Sequence, residues 1–216
     1  MPTSVELILL ALAWLIYFLS HSLLASLWMK RVFAQHLPTV VPWYRLLFNL
    51  VALLLLAPPL YLLWSYRSDP IWQWQGTMAW LAYGLMIISV AGFIWSMRYY
   101  DSREFLGIRQ LQRQQQDVND LEQLHISPLH RFVRHPWYSL GLILIWALDM
   151  DPARLVSAIA VTSYLVLGSR LEENKLLVYH GDTYRNYQKH VPALIPRPWR
   201  FLTRQETEKL LEEMKT

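Results

Sequence analysis

Apolar residues are concentrated in three long runs in the first half of the chain. Residues 7–29 and 46–66 carry no formal charge, and residues 70–97 form a third uncharged run. A helix rises about 1.5 Å per residue, so about 20 residues cross the roughly 30 Å hydrocarbon core of a bilayer. The pattern therefore predicts three membrane helices. Tryptophan and tyrosine crowd the ends of these runs, as in the aromatic belts of membrane proteins.

Local signals predict where the first two helices begin and end. Thr3 with Glu6 three residues later predicts a capping box, so the first helix should begin there and continue to about residue 31. The second helix is expected over residues 43–66, and Pro58 and Pro59 predict a kink or an early break within it. The third helix is expected over residues 77–98.

The second half of the chain alternates polar and shorter apolar segments. Residues 101–134 are polar, and the glutamine-rich part at residues 112–116 predicts a solvated loop with a short helix. Two apolar segments follow, at residues 136–148 and 155–169, and each is shorter than a standard membrane span. Between them, Asp151 precedes Pro152, which predicts a capped helix start. The two segments therefore predict a short helical hairpin.

The tail from residue 170 to residue 216 is polar and amphipathic. Gly181 predicts a helix end, and Thr203 with Glu206 predicts a second capping box that opens a terminal helix. The sequence thus predicts an all-α integral membrane protein with about five transmembrane helices, the last two a short hairpin, followed by cytoplasmic C-terminal helices. We expect an N-terminal three-helix part over residues 1–100 and a catalytic part over residues 101–216, with the hairpin at residues 136–170.

The basic residues predict the orientation in the membrane. With the N-terminus outside and five crossings, all 20 lysines and arginines except Arg67 and Arg154 lie on the cytoplasmic side, as the positive-inside rule requires. This arrangement explains the net charge of +4 without a nucleic-acid partner, and we expect none. A secretory signal is disfavoured for the first run, because it lacks a basic start and a small-residue cleavage site.

Composition excludes several kinds of site. The chain has no cysteine, which rules out disulfides, thiolate nucleophiles and zinc–thiolate centres, and we expect no metal. A haem protein needs facing histidines within its spans, and of the seven histidines only His21 lies well inside one. No two glycines form the Gly-x-Gly of a soluble nucleotide-binding loop.

Polar residues that can carry chemistry gather at the two ends of the predicted hairpin. A hairpin brings Arg134 and His135 to the same membrane face as Glu172 and Glu173. The helix that begins at Pro136 directs its free N–H groups there, which suits a ligand carboxylate. The two glutamates suit a hydroxyl, amine or sulfonium group. The competing interpretation is interfacial anchoring, in which these charges only pair or reach the headgroups.

The run Arg134-His135-Pro136-Trp137-Tyr138 is followed by Glu172-Glu173, Gly181, Tyr184, Tyr187 and Val191-Pro192. This order resembles the isoprenylcysteine carboxyl methyltransferase superfamily of membrane methyltransferases, over about a third of the chain. Residues 21–25 and 105–110 resemble, more weakly, the bacterial methanethiol S-methyltransferase-like members of this superfamily. Residues 21–25 also resemble related denitrification-associated membrane proteins.

The resemblance implies S-adenosylmethionine as cofactor, held at the cytoplasmic end of the hairpin. It implies that the cofactor is contacted by His135, Pro136, Trp137, Tyr138 and Glu172. His130 occupies a further cofactor position at which the family has an aromatic residue, and Ser127-Pro128-Leu129 replaces the family's usual turn. Arg134 and Glu173 are the expected catalytic residues, and either Glu173 or His135 is a candidate proton acceptor.

The acceptor is less well defined. Gly168 stands where the eukaryotic prenylcysteine enzymes carry an arginine that recognises the substrate carboxylate, which disfavours a prenylcysteine substrate. We therefore expect a small thiol or a hydrophobic, lipid-like methyl acceptor, with membrane lipid as a partner and the bacterial inner membrane as the location. The alternative function is a noncatalytic membrane scaffold, or a redox-associated protein related to the denitrification-associated members.

Overall fold

The computed structural model describes residues 1–114 and 126–213, and these residues fold mainly into helices. In chain order the α-helices are α1 (Ser4–Ala25), α2 (Leu27–His36), α3 (Tyr44–Ser65), α4 (Thr77–Ser96), α5 (Ser102–Leu106), α6 (Ile108–Gln112), α7 (Pro136–Trp146), α8 (Pro152–His190) and α9 (Arg204–Glu213). Short 3-10 turns occur at Pro38–Trp43, Met97–Tyr99 and Pro128–Arg131. The predicted all-α class is confirmed. The predicted glutamine-rich loop lies partly outside the described residues.

Four helical segments of the described chain are long and apolar enough to cross a membrane. They are Ser4–Ala25, Pro38–Ser65, Thr77–Tyr99 and Pro152–His190. Each contains an apolar window of 18 residues with at most two charged side chains, which is near the length that crosses the hydrocarbon core and defines an integral membrane protein. Helix α7 is apolar but has only 11 residues, so a fifth crossing and the predicted hairpin stay predictions.

The first helix begins as predicted but ends early. Thr3 N donates to Glu6 Oε2 at 2.7 Å and Glu6 N donates to Thr3 Oγ1 at 3.3 Å, which is the expected capping box. The predicted end near residue 31 is wrong. Helix α1 ends at Ala25, and extended Ser26 caps α2 by accepting a hydrogen bond from Met29 N at 3.2 Å. The apolar run continues across this break, so hydropathy alone does not reveal it.

Helix α3 continues through its two prolines. Pro58 and Pro59 lie inside the helix, which ends only at Ser65, so the early break predicted there is wrong. Prolines are tolerated in membrane helices where neighbouring groups compensate the hydrogen bonds that they remove. The predicted kink stays a prediction.

Helix α8 is much longer than the predicted second arm of the hairpin. Asp151 caps it as expected, with Oδ1 accepting from Arg154 N at 2.8 Å. The helix does not end near Ser169, because the charged segment that follows consists mainly of good helix formers. At Gly181, where a helix end was predicted, the backbone leaves the helical conformation (φ 52°, ψ −127°). The chain then continues helically to His190, so Gly181 interrupts α8 and does not end it.

The described residues form two compact units, of which the first contains residues 1–73, 100–114 and 149–161. Its apolar core is centred on Leu10, Trp14 and Ala153, which are buried among partly exposed leucines and aromatics of α1 and α3. One hydrogen bond between side chains crosses this packing, from Trp14 Nε1 to Ser157 Oγ at 2.9 Å.

The short helices after residue 100 pack on the start of α3 within the first unit. Phe105 O accepts from Arg45 Nε at 3.2 Å and from Asn49 Nδ2 at 3.1 Å. Gly107 joins α5 to α6 with a φ of +88°, and a Cβ there would lie 2.7 Å from Leu46 N. Both the conformation and the close contact therefore require glycine at this point in the run 105–110.

The second unit contains residues 74–99, 126–148 and 162–213. In it, α4 packs closely on α7, where Ser89 Oγ donates to Leu140 O at 2.6 Å. A separate apolar cluster joins the end of α8 to the tail, with Tyr184, Tyr187 and Val191 almost fully buried. The predicted capping box before α9 is confirmed, since Thr203 N donates to Glu206 Oε2 at 2.7 Å and Glu206 N donates back to Thr203 Oγ1.

Candidate active site

The backbone that precedes α7 is held by the segment that follows α8. The amides of Arg134 and His135 donate to the carbonyls of Pro192 and Ala193, at 2.9 and 3.0 Å. His135 is the N-cap of α7, so the bond from its amide satisfies a donor that the helix start leaves open. The two bonds fix two consecutive polar side chains at the N-terminal end of an apolar helix.

Glu173 of α8 is the centre of a hydrogen-bonded group that we call the hub: Arg134, His135, Glu173 and Gln188. Glu173 Oε1 accepts from Arg134 Nε and from His135 Nε2, both at 2.9 Å. Glu173 Oε2 accepts from Arg134 Nη2 at 2.9 Å and from Gln188 Nε2 at 2.8 Å. With the Arg134 and Glu173 side chains only 10% and 11% exposed, this is a buried bidentate ion pair whose carboxylate is fully engaged.

Arg134 also reaches the carbonyl groups at the end of α8. Its Nη1 donates to Gln188 O at 3.2 Å and to Val191 O. One guanidinium thus joins the start of α7, the middle of α8 and the chain that leaves α8. Arginine suits this position because its planar fork presents several donors in fixed directions.

His135 is buried between the two neighbouring glutamates. Its Nδ1 lies 3.4 Å from Glu172 Oε2, while Nε2 donates to Glu173, and its ring stacks on that of Tyr138 at 5.3 Å. Burial alone would lower the pKa of His135, but its hydrogen bonds to Glu172 and Glu173 and their negative charges outweigh burial and raise the pKa. The imidazole therefore keeps its proton to a higher pH than an ordinary histidine.

Glu172 differs sharply from its neighbour. Its side chain is 44% exposed, and its contacts to His135 Nδ1 and to the Tyr138 hydroxyl are both long, at 3.4 Å. Its other oxygen accepts no hydrogen bond from the described residues. Of the two adjacent carboxylates, Glu172 is the one with capacity left for a ligand.

The other predicted site residues lie apart from the two carboxylates. His130 is buried, with Nδ1 accepting from Ser127 N at 3.1 Å and its carbonyl accepting from the Tyr187 hydroxyl at 2.6 Å. Trp137 Nε1 donates to Ser96 Oγ of α4 at 2.8 Å. Pro136 is buried as the first residue of α7. These contacts fix the local backbone, and cofactor contact by these three residues stays a prediction.

Two contributors were not predicted from the sequence. Gln188 completes the hub, and Ser96 holds Trp137. A glutamine in a polar helix and a serine in an apolar one are both common, so no local pattern distinguishes them. Their partners are 15 and 41 residues away in the chain, and only the fold brings them together.

The fold and the site define an integral membrane protein whose longest helix presents a pair of carboxylates to an Arg-His turn. No family model matches the sequence, and no solved structure is significantly similar. Among curated proteins, methanethiol S-methyltransferase 2 of Bradyrhizobium diazoefficiens is 32% identical over 84% of this chain and 70% of its own length. Methanethiol S-methyltransferases of a Pseudomonas species and of Mycobacterium tuberculosis are each 30% identical, over 82% and 86% of this chain and 68% and 76% of their own lengths.

These similarities extend over most of the chain and well beyond the short signature. The chain belongs to the methanethiol S-methyltransferase family, within the isoprenylcysteine carboxyl methyltransferase superfamily of membrane proteins. The resemblance found from the sequence is therefore confirmed.

Proposed function

We propose that this protein is a membrane methyltransferase that uses S-adenosylmethionine to methylate a small thiol. The observation that carries the proposal is the difference between two adjacent carboxylates. Glu173 is fully engaged within the hub, whereas Glu172 is partly exposed beside it with unused acceptor capacity. The names of the relatives supply the reaction class and the kind of acceptor.

The residues present fit S-adenosylmethionine. Its amino group and ribose hydroxyls are donors, and the partly exposed Glu172 carboxylate is an acceptor of the matching kind. Glu172, His135 and Tyr138 would hold it. When bound, S-adenosylmethionine supplies an electrophilic methyl group on a positively charged sulfur, so the protein needs no covalent nucleophile, in keeping with the absence of cysteine.

Arg134 and Glu173 act in this proposal as positioning residues. Their ion pair fixes the turn at residues 134–135 against α8, so the backbone that carries Glu172 and the ring of His135 keep one geometry. A methyl transfer depends chiefly on alignment, because a misplacement of about 1 Å costs on the order of a hundredfold in rate. We therefore assign no proton transfer to Glu173.

The acceptor thiol must lose its proton before it reacts, because the thiolate is the nucleophile. His135 is poorly suited to take this proton, since both ring nitrogens face carboxylates and the pKa of His135 is raised. We assign the proton to water, before the thiol reaches the site. At Gly168 an added Cβ would meet no atom within 4 Å, and no side chain there can bind a substrate carboxylate, which favours a small thiol without a carboxylate.

We place the site at the cytoplasmic face, with the N-terminus outside and the bacterial inner membrane as the location. The distribution of lysine and arginine supports this orientation. A reporter fused after residue 216 should be cytoplasmic, and one inserted near Asp69 should be external. Finding both on one side of the membrane contradicts the orientation.

The direct test is a labelled-methyl transfer assay with purified protein in lipid nanodiscs. Methanethiol and ethanethiol are the test acceptors, and ethylamine, phosphatidylethanolamine and farnesylcysteine represent the amine, lipid and prenylated classes. We expect label in the thioether products, with far less in the others. Glu172→Gln should lower the transfer and Arg170→Gln, an exposed charge two residues away, should not. Transfer to the lipid or prenylated acceptor alone would replace the thiol assignment, and no transfer to any acceptor would favour a scaffold.

A further inference from the structure

A loop of the second unit exposes large apolar side chains to the surroundings. The loop comprises residues 195–201, and Ile195 and Trp199 in it are 75% and 77% exposed. Phe201 is also exposed and stacks on exposed Phe132, with ring centroids 6.0 Å apart. We call these four side chains the apolar patch. Water-exposed tryptophan and phenylalanine on one loop are costly, so such a patch indicates a covering partner.

The loop is fixed at both ends to the chain around the start of α7. On one side, Leu194 O accepts from Ser139 Oγ at 2.6 Å, and Ser139 lies in the first turn of that apolar helix. On the other side, Leu202 N donates to Arg131 O at 3.0 Å and Leu202 O accepts from Arg131 Nε at 2.9 Å. The patch is therefore held beside the end of an apolar helix and is not on a free tail.

The charged residues of the loop and its flanks are arginines. Residues 191–205 contain no aspartate or glutamate and include Arg197, Arg200 and Arg204, of which Arg204 pairs with Glu208 of α9. Arg197 is exposed, and its side chain makes no ion pair or hydrogen bond with the described residues. Aromatic and aliphatic side chains beside unpaired arginine are typical of segments that lie in the interface of an anionic bilayer.

We propose that the apolar patch and Arg197 form an interfacial membrane contact, in which the loop lies in the headgroup layer of an anionic bilayer. The hydrogen bonds of Leu194 and Leu202 hold the patch beside the start of α7. The terminus of an apolar membrane helix lies at the interface, so the patch lies at that level. Tryptophan is favoured at this depth because its apolar ring and its N–H group suit the boundary between acyl chains and headgroups. Arg197 supplies the attraction to lipid phosphate.

The depth of the loop can be measured directly, because the chain has no cysteine and each introduced cysteine is unique. A nitroxide is attached at Trp199→Cys, with Ile87→Cys on exposed α4 as the deep reference and Gln205→Cys on exposed α9 as the aqueous reference. The full chain is reconstituted in vesicles of phosphatidylcholine and phosphatidylglycerol, and collisions with oxygen and with a water-soluble nickel chelate are compared.

We expect the label at position 199 to lie between the two references, with more oxygen and less nickel contact than the label at position 205. A label at position 199 as accessible to nickel as that at position 205 overturns the proposal. Low contact with both agents that varies with the protein-to-lipid ratio also overturns it, because the patch would then be covered by a second copy of the chain.

The attraction of Arg197 to anionic lipid is measured separately. A bimane fluorophore at position 199 is quenched by brominated phosphatidylglycerol or by brominated phosphatidylcholine. We expect preferential quenching by phosphatidylglycerol, and Arg197→Gln should reduce that preference roughly fivefold, the usual effect of one arginine near an anionic surface. Arg185→Gln, which removes an exposed arginine paired with Asp182, is the control and should leave it unchanged. Equal quenching by both lipids in the parent, or an unchanged preference in Arg197→Gln, contradicts the role of Arg197.

Discussion

The two compact units are stabilised by different kinds of contact. In the first unit, Leu10, Trp14 and Ala153 pack through apolar surface, and one hydrogen bond between Trp14 and Ser157 crosses the packing. In the second, Arg134, His135, Glu173 and Gln188 are joined by charged hydrogen bonds. Apolar packing among membrane helices tolerates exchange of similar side chains, whereas a buried charge needs every partner in place. The comparison indicates that the hub is where the protein is least tolerant of substitution.

The largest effect is expected from Glu173→Ala. Removing one partner of a buried ion pair leaves Arg134 without its counter-charge, which typically costs about 3–5 kcal/mol of unfolding free energy. Glu172→Ala is the matched control, because the neighbouring carboxylate is 44% exposed and should contribute under about 1 kcal/mol. Thermal or denaturant unfolding in detergent measures both. Equal stability of the two variants contradicts the structural role of Glu173.

A smaller, pH-dependent effect is expected from His135. Its pKa is raised in the folded protein, where burial is outweighed by its hydrogen bonds to Glu172 and Glu173 and by their charges. A raised folded-state pKa gives a stabilisation that is fully present below the ordinary value of about 6.5 and is lost as the pH rises through the folded-state value. Across this pH range, the unfolding temperature of the parent should decrease as the pH rises. His135→Asn should lack the part of this decrease that comes from the histidine. Parallel profiles would show that the histidine is not coupled to the carboxylates.

The smallest effect is expected from Ser157→Ala in the first unit. This change keeps Trp14 and its aromatic packing and removes the hydroxyl that accepts its hydrogen bond, and such bonds in membrane proteins contribute about 0.6 kcal/mol on average. Ser4→Ala, at an exposed serine of α1, should have no effect in the same unfolding measurement. A loss of stability for Ser157→Ala as large as that for Glu173→Ala would remove the difference between the two units.

Sequence patterns predict the elements of this fold that depend on local signals. The capping boxes at Thr3 and Thr203 and the cap at Asp151 involve residues close together in the chain, and each occurs as predicted. The helix end predicted at Gly181 occurs as a non-helical residue within α8. The end of α1 was not predictable, because Ser26 lies in a continuous apolar run.

The proximity of Arg134 and His135 to Glu172 and Glu173 also follows from the predicted hairpin. Their different environments do not, because adjacent helix residues point about 100° apart and the tail decides which one is engaged. Gln188 and the carbonyl of Val191 reach the Arg134–Glu173 pair only because the chain turns back after α8. That contact joins segments far apart in sequence, and no local pattern specifies it.

The central claim is that Glu172 receives the ligand while Glu173 maintains the fold. The most direct measurement is titration calorimetry of S-adenosylhomocysteine against the parent, Glu172→Gln and the exposed-charge control Arg170→Gln, with unfolding temperatures recorded for each. We predict that Glu172→Gln weakens binding about ten- to a hundredfold, corresponding to the 1.5–3 kcal/mol of a charged hydrogen bond, at an unchanged unfolding temperature. Arg170→Gln should bind like the parent. Equal affinity of Glu172→Gln and the parent, or no binding by the parent at millimolar concentration, would contradict the claim.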